Sequence, residues 1–317
     1  METVSEDKLK APKLMEVSGQ FKVDWSYSKM QVLHSCPRKY YYAYYGGKKF
    51  SALEEPNKEM IQFLKTLSNS HLVIGEIVHH VIKTYFKKLK KGEIWDLQRL
   101  QSFGYRILKE AVAYSAELRD GIFNAYSYTP KSLMEVYYGE VDTTSIRNVI
   151  REKINHHLTI FYQSDNFRHL REGAMIGEAL IESRARYNLA GVQVDGVIDL
   201  LFDTGSNWTI ADWKTGDKEI EETSLQLLVY GLWALEKKEI PISKIQIEKA
   251  YLGDDLLERL EFSEIHLQRA RARIIQDAEI LNELDDFGAD GVIEAFSACG
   301  HEKICCQCPF KKICTKN

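Results

Sequence analysis

The chain has 317 residues, 44% hydrophobic and 28% charged, with a formal net charge of −4, an ordinary globular composition for one large domain or two modest ones. That balance excludes a globally basic nucleic-acid binder, so any surface for a polyanion has to be local, with "GGKKF", "KKLKKG" and "PFKKIC" as candidates that also read as solvated helix ends. No apolar run approaches the roughly 18 residues of a membrane span and "METVSEDKLK" has no signal-peptide core, so a cytoplasmic protein without membrane contact is expected.

Residues 1–24 are polar and predict a loosely held tail ahead of one domain over 25–317. "WSYSKMQVLHSCPRKYYYAYYGG" predicts a helix capped at Ser26 or Ser28, and Pro37 starts a second helix. Tyr40, Tyr41, Tyr42, Tyr44 and Tyr45 cover every face of that helix, which favours core packing over stacking on bases for most of them. "HLVIGEIVHHVIKTYFKKLKKG" is amphipathic, with Ile74, Ile77, Val78, Val81, Ile82 and Tyr85 as its apolar stripe. His79 lies at the edge of the stripe, one turn after Gly75, whose missing side chain lets another element come close; His80 lies toward the charged side. Alone, His79 reads as a core-edge histidine. Residues 92–170 are mostly helical by pattern and form an insert.

The run Val192–Phe202 alternates with period two, placing Val192, Val194, Ile198, Leu200 and Phe202 on one apolar face and Asp195 and Asp199 on the other. "DTGSN" supplies turn residues and "WTIADWKT" a second strand; a loop centred on Gly205 and Ser206 sets Asp199 opposite Asp212. Upstream, a two-residue turn at Ala190-Gly191 puts Ile181, Ser183, Ala185 and Tyr187 on one face and sets Glu182 opposite Asp199. Side chains paired this way have Cβ atoms about 4.5–5.5 Å apart, and like charges there repel. A divalent cation between the carboxylates removes the repulsion, and Lys214, on the face of Asp212, is placed to polarise a water or offset phosphate charge. The competing reading is a row of solvated acids; Glu182 also has Arg184 and Arg186 on its face as ordinary ion-pair partners. Further on, "EETSLQLLVYGLWALEKK" predicts a helix with Gln226 and Tyr230 one turn apart, "KIQIEKAYLG" a strand and "IHLQRARARIIQDAEILNEL" a long helix.

Five of the six cysteines fall between Cys299 and Cys314, and Cys36 stands alone near the start. Such clustering argues against a disulfide framework. Cys305, Cys308 and Cys314 bring three thiolates within reach of one metal centre, with Cys36 as the distant fourth. Tetrahedral zinc and an iron–sulfur cube both suit four thiolates. Cys299 and Cys306 are then spare thiols or replacements for one ligand.

These pieces, in this order, resemble the RecB-like branch of the PD-(D/E)XK nuclease superfamily over residues 25–315, and most of all its iron–sulfur members: AddB-type nuclease domains and CRISPR-associated adaptation exonucleases. The opening element is matched by Ser26, Ser28, Cys36, Pro37, Lys39 and Tyr40, and the G-x-x-x-H helix motif by Gly75 and His79. G-x-(I/V)-D is matched by Gly196, Ile198 and Asp199, and D-x-K-T-G by Asp212, Lys214, Thr215 and Gly216. Q-x-x-x-Y is matched by Gln226 and Tyr230, and C-x2-C-x5-C by Cys305, Cys308 and Cys314. "KICCQC" departs from the pattern by an adjacent extra thiol, Cys306.

The resemblance implies an α/β fold, a restriction-endonuclease-like mixed sheet flanked by helices, with the chain ends joined by a [4Fe-4S] cluster on Cys36, Cys305, Cys308 and Cys314. It implies His79, Asp199, Asp212 and the Trp213 carbonyl as ligands of Mg2+ or Mn2+, and Lys214 as the residue that positions the nucleophile. Glu182 adds an outer carboxylate, while Gln226 and Tyr230 steady the substrate backbone. The implied activity is metal-dependent cleavage of DNA, foremost as an exonuclease on single-stranded ends in repair, recombination or CRISPR adaptation. A helicase or CRISPR adaptation proteins are the implied partners. The rival reading is a DNA-end-binding or assembly module with incidental cleavage, and a zinc-stabilised structural protein leaves the acid row without a purpose.

Overall fold

The computed structural model describes residues 21, 23–48, 55–122, 130–218 and 225–314. Most of the polar N-terminal segment, the end of "GGKKF" and the start of "EETSLQLLVYGLWALEKK" lie outside the described residues. Helix α1 (Tyr27–Ser35) is capped by Ser26, whose Oγ accepts from Lys29 N at 3.3 Å. Cys36 caps α2 (Pro37–Tyr41), which runs into a π-helical turn over Tyr42–Gly46. Helix α3 (Glu55–Leu64) and the short β1 (Leu67–Ser68) lead into α4 (Ser70–Leu89). The expected stripe of α4 is buried throughout, together with Val73 and Phe86.

The 92–170 stretch holds α5 (Leu97–Arg119), α6 (Met134–Tyr137), α7 (Thr143–Gln163) and the start of α8 (Arg168–Gly173). Within it, β2 (Ser132–Leu133) pairs parallel with β1. The main sheet has the order β3-β4-β5-β6-β7, formed by β3 (Leu180–Leu189), β4 (Val192–Asp203), β5 (Trp208–Lys214), β6 (Ile245–Tyr251) and β7 (Leu256–Leu260). Only β5 and β6 run parallel, because α9 (Leu225–Lys238) crosses between them; the other neighbours are antiparallel. Helices α10 (Glu264–Ala289) and α11 (Glu302–Cys306) complete the chain. No helix among the described residues is long and apolar enough to cross a membrane.

Both hairpin registers come out as the turn residues dictate. Ala190 (φ 48°) and Gly191 (φ 89°) form the two-residue turn of β3–β4, with Leu189 opposite Val192 and Ser183 opposite Ile198. Asp203 pairs Trp208 and Leu200 pairs Ala211, so Asp199 and Asp212 are next in line. Pairing stops there, however, and β5 peels away from β4. The vacated edge of β4 is taken by Trp25: its N–H donates to Gln193 O at 2.8 Å, its carbonyl accepts from Asp195 N at 2.9 Å, and its indole donates to buried Asp277 at 3.2 Å.

The single apolar face expected along β4 does not exist. Val192, Val194 and Ile198 join the core beneath α9 and α10, whereas Leu200 and Phe202 join the one beneath α4, α5 and α7; Leu201 takes over in the first. Strand β3 changes faces at the same level, since Ala185 and Tyr187 pack in the first core and Ile181 against the second. The cause is a backbone break at the acid row. Glu182 adopts φ 47°, and Glu182 and Asp199 drop out of the ladder opposite each other, so register survives while the alternation inverts. The tyrosines of α2 and its π turn pack as a cluster: Tyr40, Tyr41, Tyr42 and Tyr45 are buried and Tyr44 is half-buried.

Candidate active site

The fork between β4 and β5 gathers the candidate residues from five elements. From α4, His79 Nδ1 lies 3.2 Å from Glu182 Oε1 and 3.4 Å from Asp199 Oδ1. Its Nε2 donates to the Trp213 carbonyl at 2.9 Å, the oxygen expected as a metal ligand. Gly75 makes this approach possible, because a Cβ there would stand 3.1 Å from Thr215 Oγ1. Asp199 Oδ2 accepts from Trp213 N at 2.9 Å, so a carboxylate fills the hydrogen-bond place that the missing ladder partner leaves. Lys214 Nζ lies 2.8 Å from Asp212 Oδ2 and donates to Gln226 Oε1 at 2.8 Å; Gln226 Nε2 donates in turn to Tyr230 OH at 2.9 Å. The Tyr230 ring lies over Gly196, where a Cβ would come within 2.9 Å of it.

Charge and burial set the protonation of these groups. Asp212 is buried, and that burial, with the nearby Asp199 carboxylate, pushes its pKa up to about 6 against the pull of Lys214 and His79. Burial disfavours a charged His79, but the Asp199 and Glu182 carboxylates outweigh it and hold the imidazole well above its ordinary value. Burial raises the Tyr230 phenol, and Asp212 raises it further, so the ring stays neutral.

The donor set suits a hard divalent cation. His79, Glu182 and Asp199 each offer one ligand atom within 4.8 Å of the others. Asp212, which lines one cavity with His79 and Asp199, is buried, and its Oδ2 has the Lys214 ammonium 2.8 Å away as counter-charge. Three convergent donors, with a further buried carboxylate lining the cavity that His79 and Asp199 share, are what a divalent cation would satisfy. Asp199, Asp212, Lys214 and Gln226 line a cavity of about 300 Å³, which opens beside a groove of about 1040 Å³ lined by His79 and Glu182.

Sequence reasoning underweighted Glu182. Its expected partners pair elsewhere, Arg184 with Asp195 and Arg186 with Asp24, which leaves Glu182 to His79. The clue was the register that set it opposite Asp199; the left-handed backbone that turns it toward His79 has no marker in the residue type.

The second candidate centre lies where the chain ends meet. All six cysteines line one cavity of about 330 Å³ with Lys39, Tyr42 and Phe310. Burial pushes the Cys308 thiol up to about 11 and raises Cys314, with the neighbouring thiols adding to both. Cys299 Sγ stands 3.9 Å from Cys305 Sγ, so Cys299 adjoins the expected ligand trio through Cys305. Cys306 is exposed and donates to Lys303 O.

No curated protein matches the chain. The family model of the PD-(D/E)XK nuclease superfamily matches residues 24–315, from the residue before Trp25 to just past Cys314. A mixed five-stranded sheet between helices, with acids and a lysine where two antiparallel strands part, agrees with that match, and the chain belongs to the PD-(D/E)XK superfamily of metal-dependent nucleases.

Proposed function

We propose that the protein hydrolyses phosphodiester bonds in DNA with Mg2+ or Mn2+, working inward from single-stranded ends as an exonuclease. The carrying observation is the convergence of His79, Glu182 and Asp199, together with the ion pair of buried Asp212 and half-buried Lys214. His79, Asp199 and Asp212 would hold the cation, with the Trp213 carbonyl as a further ligand; the convergence of donors supports adding Glu182. When bound, such an ion lowers the pKa of a water and offsets charge on the phosphoryl oxygens. Lys214 Nζ, fixed between Asp212 and Gln226, orients the attacking water and balances negative charge as the P–O bond to the leaving oxygen breaks. Gln226 and Tyr230 brace that ammonium and steady the substrate backbone.

In the same reading Cys36, Cys305, Cys308 and Cys314 hold a [4Fe-4S] cluster. Zinc with about 2.3 Å bonds to sulfur would draw four thiolates to roughly 3.8 Å spacing. The cavity of about 330 Å³ that cysteines from both chain ends line supports the bulkier iron–sulfur cube. The protein would act in the cytoplasm beside a helicase or CRISPR adaptation proteins.

The test is purification without oxygen, followed by end-labelled linear and circular single strands, duplex DNA and RNA, each with Mn2+ or Mg2+. Linear single-stranded DNA should be degraded and circles spared. Cut circles would make the enzyme an endonuclease, and no metal-dependent cleavage of any substrate would overturn the reading.

A further inference from the structure

The groove beside the carboxylate site is more than three times its volume, about 1040 Å³ against 300 Å³, and the residues assigned to catalysis use only its inner end. His79 and Thr215 line both cavities and so mark that end; α4 and α5 supply most of the remaining lining, with Pro130 and Lys131. Its volume reaches the top of the roughly 300–1,000 Å³ that drug-sized ligands occupy. Phe103 lines it, half-buried and held edge-on by Trp95 at 5.4 Å and 79°. The His80 ring lies 5.8 Å from Phe103, tilted by 35°, and the Arg106 guanidinium sits 5.0 Å over it. His80 and Arg106 are both exposed, so the three planar groups form a ledge open to the groove.

Three full cations, Lys83, Arg106 and Lys131, face this space, with Glu76 and Glu110 as the acids away from the metal site. Lys131 reaches Glu76 at 2.9 Å across an exposed pair that a phosphate can displace. Apart from His71 the remaining wall is apolar, including Leu72, which is 57% exposed. Planar ledge, cations and apolar wall match what an unpaired strand offers: base faces, phosphates and sugars. In a duplex the base faces are covered by their neighbours and cannot use the ledge.

We propose that this groove is the track along which a single-stranded polynucleotide reaches the carboxylate site, with its bases stacked on the His80–Phe103–Arg106 ledge and its phosphates held by Lys83 and Lys131. The proposal rests on the nuclease reading for what happens at the inner end, and not for the binding itself. Part of the helical insert, α5, thereby supplies the strand-reading wall, and the continuity of groove and metal site sets the direction in which the strand is fed.

The test measures binding of fluorescent single-stranded DNA and RNA oligonucleotides to the metal-free full chain, and separately KM and kcat with Mn2+. Phe103→Ala should weaken single-strand binding and raise KM about tenfold or more, the scale of one lost base stack, with a smaller change in kcat; Phe103→Tyr should restore both. Because Phe103 also packs on Trp95, exposed Arg106→Ala provides the variant that leaves the core alone, and should weaken binding several-fold. Lys83→Ala should reduce the slope of log affinity against log salt by about 0.7, one phosphate contact. The stronger of the DNA and RNA arms identifies the natural strand. Unchanged binding and KM in both Phe103→Ala and Arg106→Ala would overturn the track, as would an equal loss on duplex DNA. A wild-type protein that binds strands through the ledge yet never cleaves would instead overturn the nuclease reading and leave the track standing.

Discussion

The two candidate metal centres are built on opposite plans. The carboxylate site draws three of its elements from one continuous stretch, β3 to β5, and adds His79 from α4. Hydrogen bonds from Trp213 N to Asp199 and from His79 to the Trp213 carbonyl fix its frame through groups the fold already supplies. The thiol pocket joins Cys36, which caps α2, to a segment some 270 positions later. A site framed by sheet hydrogen bonds keeps its shape without metal and carries repulsion as the cost. A site that bridges distant segments depends on what it binds, so its binding energy is folding energy.

The sharpest way to break this contrast is to remove one ligand from each centre. Cys36→Ala should lose the broad absorbance near about 400 nm and, with it, about 3–5 kcal/mol of stability, seen as a fall in Tm of about 10 °C. Exposed Cys306→Ala should keep both, whereas Cys299→Ala tests whether the contact with Cys305 is a ligand contact or only packing. A brown Cys36→Ala protein with the wild-type Tm would collapse the distinction between the two plans.

At the carboxylate site the expected effect is on rate more than on folding. Asp212→Ala and Lys214→Ala should each lower kcat at least about 10³-fold; in the absence of metal, Tm should stay flat or rise for Asp212→Ala, because a buried charge and its repulsion with Asp199 are removed, and fall for Lys214→Ala, which leaves buried Asp212 without its counter-charge. Single-turnover cleavage at the wild-type rate in either variant would remove that residue from the mechanism.

Smaller, and more discriminating, is the histidine pair. His79→Ala should weaken Mn2+ binding by about 10–100-fold, whereas His80→Ala should leave Mn2+ binding unchanged and affect only strand binding. Calorimetric Mn2+ titrations of the two variants separate metal ligand from strand ledge.

The smallest effect is on pH. Asp212, with its pKa up at about 6, and His79, protonated above its ordinary range, must both give up protons to a cation. Mn2+ affinity should therefore rise with pH through about 6 and beyond, with protons released to the buffer. For metal-free stability the sign is opposite. A carboxyl whose folded pKa is raised stabilises below its unfolded pKa, near 3.9, and that contribution fades as pH climbs through about 6. His79 acts in the same direction, its contribution fading as pH rises through its raised folded value. Proton-independent Mn2+ binding would show that the site is already deprotonated.

Turn chemistry made the sheet legible: Ala190-Gly191 and Gly205-Ser206 fix both registers, which set Glu182 level with Asp199 and lead to Asp212 just past the last β4–β5 pair. The stripe of α4 and the burial of the tyrosines followed from periodicity and bulk. The inversion of faces at Glu182 was not legible, because nothing in an Ile-Glu-Ser sequence announces a left-handed backbone. Nor was the groove, whose walls come from segments brought together only by tertiary packing, with Phe103 reading as one more apolar residue of a helix.

Trp25 has a consequence for how the chain reaches this state. The edge of β4 that β5 abandons is a row of unpaired N–H and C=O groups, the kind of template on which another strand, from this or another chain, can add. During synthesis from the N-terminus Trp25 emerges long before Val194, so the guard of that edge is already waiting when the edge appears. The buried lock on the guard, Asp277 held by Arg273, arrives about 80 residues after β4. Between those two moments nascent β4 has a partner but no latch, and that interval is when mispairing has its opening.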